Sequence, residues 1–130
     1  MQPAPIALWH RAVATHDASI LDGLIAEDAV FLSPAVHTPQ TGKPLVVKYL
    51  AAALGVLSVE SFRYLDEWYS DRSAILEFEV TLDGTYVNGI DLIRWNDAGR
   101  IVSFKVMVRP LKALNVVVTR MGAQLQAPAV

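Results

Sequence analysis

The sequence predicts an α+β fold: a curved antiparallel sheet wrapped around N-terminal helices, with a further helix at the C-terminal end. Three observations lead there. Two turn signals, Asp83-Gly84 and Asn96-Asp97-Ala98-Gly99, each sit between runs rich in Val, Ile, Phe, Tyr and Trp, so Thr81 to Arg109 reads as three antiparallel strands joined by tight hairpins. Helical periodicity flanks that meander instead of alternating with it, which places helices on one face of a sheet. The turns also fix a register, and that register sorts the side chains into an apolar face and a mixed one. The chain has 130 residues, which fits one domain over 1–130 with enough buried surface for a core and a ligand cavity.

A two-residue loop at Asp83-Gly84 sets Val80 opposite Val87, Phe78 opposite Gly89 and Leu76 opposite Asp91. A four-residue loop at Asn96–Gly99 sets Trp95 opposite Arg100 and Asp91 opposite Phe104. Alternation along each strand then collects Leu76, Phe78, Val80, Val87, Gly89, Asp91, Ile93, Trp95, Val102, Phe104, Val106 and Val108 on one face. Asp91 is the only member of that set that is neither apolar nor glycine. A buried, unpaired carboxylate is expensive, so such a group is paired, protonated or beside a wet cavity. Asp91 is therefore the first functional candidate; the alternative is that it anchors a buried Arg, His or backbone group.

Taken in order, the first helix starts near Pro5, proline being tolerated in a first turn, and Ile6, Trp9 and Val13 form its apolar stripe. Trp9 reads as core, and His10 and His16 as surface or rim residues. Asp17 can cap a second helix from Ala18 to about Ala26, ended by Glu27-Asp28. Ala29 to Leu32 is a short strand that leaves through the stiff loop Ser33 to Gly42. His37 lies in the middle of that loop, where it serves either as a base or hydrogen-bond donor or as a pin for the loop backbone. A third helix opens at Gly42-Lys43-Pro44 and carries a broad apolar stripe that includes Tyr49. Ser61 to Tyr69 is a strand; with Ser70-Asp71-Arg72 as its loop, Tyr64 faces Phe78 and Asp66 faces Leu76. That register puts Asp66 and Trp68 on the cavity face and makes Asp66 a possible acid partner for Asp91. After Pro110, Leu111, Leu114, Val118, Met121 and Leu125 recur at helical spacing, and Gln126 to Val130 reads as a frayed tail.

Composition narrows the function. Hydrophobic residues make up 53% of the chain, yet no apolar run reaches the ~18 residues of a membrane span, so the excess suits a cavity or a subunit interface. The net charge is -2 and the basic residues are scattered, which argues against nucleic acid as a partner. There is no cysteine, which removes thiolate catalysis and Cys-based metal sites. His10, His16 and His37 lack metal-site spacing, and no nucleotide-binding glycine loop is present, so no cofactor is expected. The N-terminus has neither the basic segment nor the long apolar core of a signal peptide, which leaves the cytoplasm as the expected location.

The segment from Ile20 to Phe31, the loop SPAVHTPQTGK, the strand GIDLIRW and the run NDAGRIVSFKVMVRP together resemble the nuclear transport factor 2-like superfamily. Within it they resemble the SnoaL-like group, which is related to ketosteroid isomerase and limonene epoxide hydrolase. The resemblance implies a cone-shaped barrel with one deep apolar pocket and a homodimer formed through the convex sheet face. It also implies that Asp91 matches a pocket acid on a middle strand and that His37 lies where relatives place a pocket residue. The chain departs from ketosteroid isomerase in having no tyrosine in its first helix and no carboxylate base in the post-strand loop. It departs from the epoxide hydrolase in lacking an inward Asp-Arg-Asp trio, since Arg94 faces outward. The expected activity is cofactor-independent acid/base isomerase, cyclase or hydrolase chemistry on a small apolar compound. Asp91 and His37 would be catalytic, and Phe31, Tyr49, Tyr64, Asp66, Trp68, Phe78, Trp95 and Phe104 would line the pocket. The alternatives are a non-catalytic binder of a small ligand and a structural dimer.

Overall fold

A computed structural model describes residues 1–126. The elements follow in the order α1 (Ala4–Thr15), α2 (Ile20–Leu24), β1 (Ile25–Leu32), β2 (Gln40–Thr41), α3 (Lys43–Val56), β3 (Arg63–Tyr69), β4 (Ser73–Leu82), β5 (Thr85–Trp95), β6 (Ile101–Arg109) and α4 (Leu111–Gln126). This is the expected α+β arrangement. Gln126 closes α4, and the rest of the expected tail lies outside the described residues.

The six strands form one sheet in the order β2-β1-β6-β5-β4-β3. β3 to β6 are the antiparallel meander read from the sequence. The sheet as a whole is mixed, because β1 runs parallel to β6, and it stays open in place of the expected barrel, because β2 and β3 are edges that do not pair with each other. The long segment between β1 and β6, with α3 and four strands in it, supplies the crossover that a parallel pair needs. α2 is shorter than expected and β1 starts at Ile25, not Ala29. The β1–β6 register shifts between Ile25 and Val30. Exposed Glu27 and Asp28 occupy that irregularity, which is why they look like a break between elements.

The Asp83-Gly84 hairpin has positive φ at both residues, 51° and 77°, the conformation that twists correctly into flanking strands. It fixes Leu82 opposite Thr85, Phe78 opposite Gly89 and Leu76 opposite Asp91, as the turn chemistry predicts. The next hairpin differs. Trp95 faces Ile101 and Asp91 faces Val106, with an irregularity between Arg94 and Trp95. The offset is one residue at Trp95, where Ile101 replaces Val102 at the turn end, and two residues from Arg94 onward, so Phe104, Val106 and Val108 keep their inward faces. Below the sheet, Ile6 and Trp9 of α1, Leu21 and Leu24 of α2, and Val46 and Leu50 of α3 pack against Leu76, Ile93, Ile101 and Phe104. A second cluster joins Val56, Phe78, Val80, Leu82, Val87 and Ala113 toward the hairpin end.

Glycine at position 89 is required by close packing. A Cβ there would stand 2.6 Å from the carbonyl oxygen of Met107 and 2.6 Å from Cζ of Phe78. The missing side chain lets the Phe78 ring lie across the sheet, one inward position from Asp91 along β5.

Candidate functional site

A cavity of about 240 Å³ opens between the sheet and α3 and α4. Phe78, Val87, Asp91, Phe104, Val106 and Val108 form its sheet wall. α3 and its C-cap contribute Tyr49, Leu50, Ala53, Val56 and Leu57; α4 contributes Val117, Val118, Met121, Gly122 and Leu125; Trp9 of α1, Phe31 and Ser33 to Val36 complete the lining. Among the described residues, side-chain polarity in the wall is limited to Ser33, Tyr49, Asp91 and the indole N–H of Trp9, with no cationic residue and no second carboxylate. Among the described residues no three His, Asp or Glu side chains converge into a metal-binding group.

Asp91 is 4% exposed and is the one buried charged or polar residue in the described core. Its Oδ2 accepts a hydrogen bond from the Tyr64 hydroxyl at 2.6 Å. The Tyr64 oxygen accepts in turn from Trp9 Nε1 at 2.8 Å. No arginine reaches Asp91; Arg63 instead pairs with Glu79 on the outer face. Burial pushes the Asp91 carboxyl from an ordinary 3.8 up to about 7, against the smaller opposing pull of the Tyr64 hydrogen bond. The Tyr64 phenol is held well above its ordinary value, by burial first and then by the charge and acceptance of Asp91. A carboxyl that exchanges its proton near neutrality inside an apolar cavity is suited to general acid/base work.

Phe31, Tyr49, Phe78 and Phe104 line the cavity as expected. Three of these rings and Trp9 make a connected aromatic wall: Trp9 meets Phe104 edge-on at 4.8 Å, Phe104 lies 6.2 Å from Phe31, and Phe31 lies 5.5 Å from Tyr49, while Phe78 packs against Phe62 and Tyr64. Tyr64 contributes its hydroxyl to Asp91 without being a lining residue. Trp95 is buried in the core away from the cavity. It stands four residues beyond Asp91, roughly 13 Å along a strand, while the cavity extends the other way, toward Val87.

Asp66 and Trp68 do not reach the site. β3 carries a bulge between Tyr64 and Asp66, and one extra residue flips every later side chain. Tyr64 faces Phe78 as expected, but Asp66 pairs with Glu77 on the outer face, and Trp68 is 51% exposed. Glu67 turns inward in their place. Its carboxylate meets His10 Nε2 and accepts from the Tyr69 hydroxyl, and the His10 ring stands edge-on to Tyr64 at 4.9 Å. His37 is exposed and does not line the cavity. The loop delivers Ser33 to Val36 to the cavity and then runs outward before Gln40 pairs back onto Phe31.

Sequence reasoning passed over Trp9 and Glu67. Trp9 had a usable signal, since a buried indole N–H needs an acceptor. Glu67 had none, because nothing in SFRYLDEWY marks the bulge. The α4 residues at the cavity, Val118, Met121 and Leu125, were visible as an apolar stripe but not as a cavity wall.

Comparison with known proteins agrees with this architecture. A steroid delta-isomerase from Pseudomonas aeruginosa is 42% identical and superposes with a TM-score of 0.89, over 94% of this chain and 89% of that one. An uncharacterized bacterial protein with a cystatin-like fold from Silicibacter pomeroyi DSS-3 is 31% identical, with a TM-score of 0.85 over 93% and 84% of the two chains. An NTF2-like protein of unknown function from Mesorhizobium loti shares the fold at 23% identity and a TM-score of 0.69, over 82% and 91%. Among curated proteins, none matches the sequence. The SnoaL-like domain pattern matches residues 6–104, and the chain therefore belongs to the SnoaL-like family within the nuclear transport factor 2-like superfamily.

Proposed function

We propose that this protein is a cofactor-independent isomerase acting on a small, neutral, apolar carbonyl compound, with Asp91 as the proton carrier. The carboxylate takes a proton from the carbon next to the carbonyl. The resulting electron pair delocalises onto the carbonyl oxygen, and the carboxylic acid returns the proton to a different carbon, so the double bond moves with no net gain or loss of atoms. The observation that carries the reading is the setting of Asp91: buried, in an apolar wall, with no cation, and bonded by a neutral hydroxyl alone. The wall offers nothing to neutralise a phosphate or carboxylate, which favours a neutral substrate. Ring faces of Phe31, Phe78 and Phe104 suit a fused-ring frame. Tyr49, whose hydroxyl has no hydrogen-bond partner among the described residues, is the candidate to receive the substrate oxygen. The 42% identity to a steroid delta-isomerase supports steroid ketones as the first compounds to try. His37 has no part in this scheme.

The test is to mix the protein with a steroid ketone whose double bond lies one position out of conjugation and follow the ultraviolet absorbance of the conjugated product. Asp91→Asn should lower turnover by roughly 10²–10⁴-fold while leaving binding of the conjugated product in place. Equal turnover by the wild type and Asp91→Asn would remove Asp91 from the chemistry.

The same reading includes a homodimer through the convex sheet face, where Leu65, Trp68, Tyr86 and Met107 are 44%, 51%, 50% and 48% exposed. Sedimentation equilibrium checks it: a mass of one chain at micromolar concentration would rule the dimer out.

A further inference from the structure

We propose that Trp9 is a positioning residue for Asp91, acting through Tyr64 to keep the exchangeable proton of the carboxyl on Oδ1, the oxygen left for the cavity. An indole N–H can only donate. Trp9 Nε1 donates to the Tyr64 oxygen at 2.8 Å, and Tyr64 has a single hydrogen of its own. That hydrogen is committed to Asp91 Oδ2 at 2.6 Å. A proton on Oδ2 would set hydrogen against hydrogen, so the carboxylic acid must carry its proton on Oδ1. No bond to Oδ1 is made by the described residues.

The relay is held rigidly. Trp9 is 1% exposed and its ring is wedged against Phe104. The Tyr64 ring is gripped edge-on by Phe62 at 5.2 Å, Phe78 at 6.3 Å and His10 at 4.9 Å. Without the indole donor, the Tyr64 hydroxyl is free to rotate and accept from a protonated Asp91. The proton would then sit on Oδ2, pointing away from the cavity. The titratable groups facing this relay are Tyr64 and Glu67 from β3, His10 from α1 and Tyr49 from α3. β4, β6 and α4 present apolar side chains to it.

The inference rests on Asp91 being the proton carrier, and its test reads proton position without any substrate. Protein labelled with ¹³C at the aspartate carboxyls is titrated by NMR as wild type, Trp9→Phe and Tyr64→Phe. Tyr64→Phe removes a bond to the ionised form and should raise the Asp91 midpoint by about one unit. Trp9→Phe should raise it as well, although Tyr64 is intact, and should lower kcat with KM unchanged. An unshifted midpoint in Trp9→Phe overturns the proposal. Should that variant not fold, the wild type still decides. The ¹⁵N-indole resonance of Trp9 should step at the Asp91 midpoint, and a flat trace overturns the relay. Failure of either NMR result leaves the Asp91→Asn turnover test standing, and failure of the turnover test leaves the proton geometry to be judged by NMR.

Discussion

Replacing Asp91 by Asn should stabilise the protein, and by an amount that grows with pH. The Asp91 carboxyl titrates near 7 in the folded protein against an ordinary 3.8. Between those values the folded state holds a proton that the unfolded chain has released. Stability contributed by this site therefore falls as pH rises from about 4 to about 7 and is lost above that. One unit is worth about 1.4 kcal/mol, so between pH 5 and pH 8.5, where about two units of that difference are traversed, the wild type should lose about 3 kcal/mol relative to the variant. Asn has nearly the same shape and can still accept from Tyr64, but it carries no charge at any pH. For a chain of this length 1 kcal/mol corresponds to roughly 3–4 °C of Tm, so the Tm difference should widen by roughly 10 °C over that range. The assay is thermal denaturation of both proteins by circular dichroism at half-unit pH steps; other titrating groups cancel in the difference. A difference that stays constant with pH would mean that Asp91 does not titrate in this window. Asp91 would then not be a tuned carboxyl, whatever the turnover measurements show.

Three further outcomes follow from the same geometry. If Asp91 acts first as a base, kcat/KM should fall as pH drops through about 7, because protonation removes the acting form; a profile flat from pH 5 to 9 would contradict this. Gly89→Ala should destabilise by at least the ~1–3 kcal/mol of an overpacked site, measured by urea denaturation. Adding Phe78→Leu should not restore it, since the Met107 carbonyl still stands 2.6 Å from the new carbon; full rescue would show that the ring is the sole obstacle. Met121→Trp, at the α4 wall of the cavity, should weaken binding of a fluorescent apolar probe by about tenfold or more with little change in Tm, and unaltered affinity would place the probe elsewhere.

Much of this fold was legible because turns and alternation are local signals. Asp83-Gly84 fixed four cross-strand pairs, and Asp91 stood out as the single acid on an apolar face. The errors share a cause in the backbone. One unmarked residue in β3 moved Asp66 and Trp68 to the outer face and brought Glu67 inward. The β5–β6 pairing is offset by one residue at Trp95 and by two from Arg94 onward, which does little harm, because an even shift preserves the faces. His37 was read from the composition of a loop whose path is set by pairing of its ends, Phe31 with Gln40. The Tyr64–Asp91 contact spans 27 residues and the Trp9–Tyr64 contact 55; neither has a local signature. The depth of the cavity depends on where α4 settles, and periodicity alone does not give that.

The parallel pairing of β1 with β6 has a consequence for the order of assembly. β4, β5 and β6 are neighbours in sequence and can zip together through hairpins, which is fast. β1 must instead close a loop of some seventy residues before its hydrogen bonds compensate the lost chain entropy. α1, which supplies Trp9, packs on a surface that this late step completes. During folding, Asp91 is thus wet and acidic while the meander forms, and gains its proton affinity only when the N-terminal segment docks. Net proton uptake near neutral pH should mark that docking step in refolding, and the timing of the uptake relative to strand formation can be read with a pH indicator in a stopped-flow instrument.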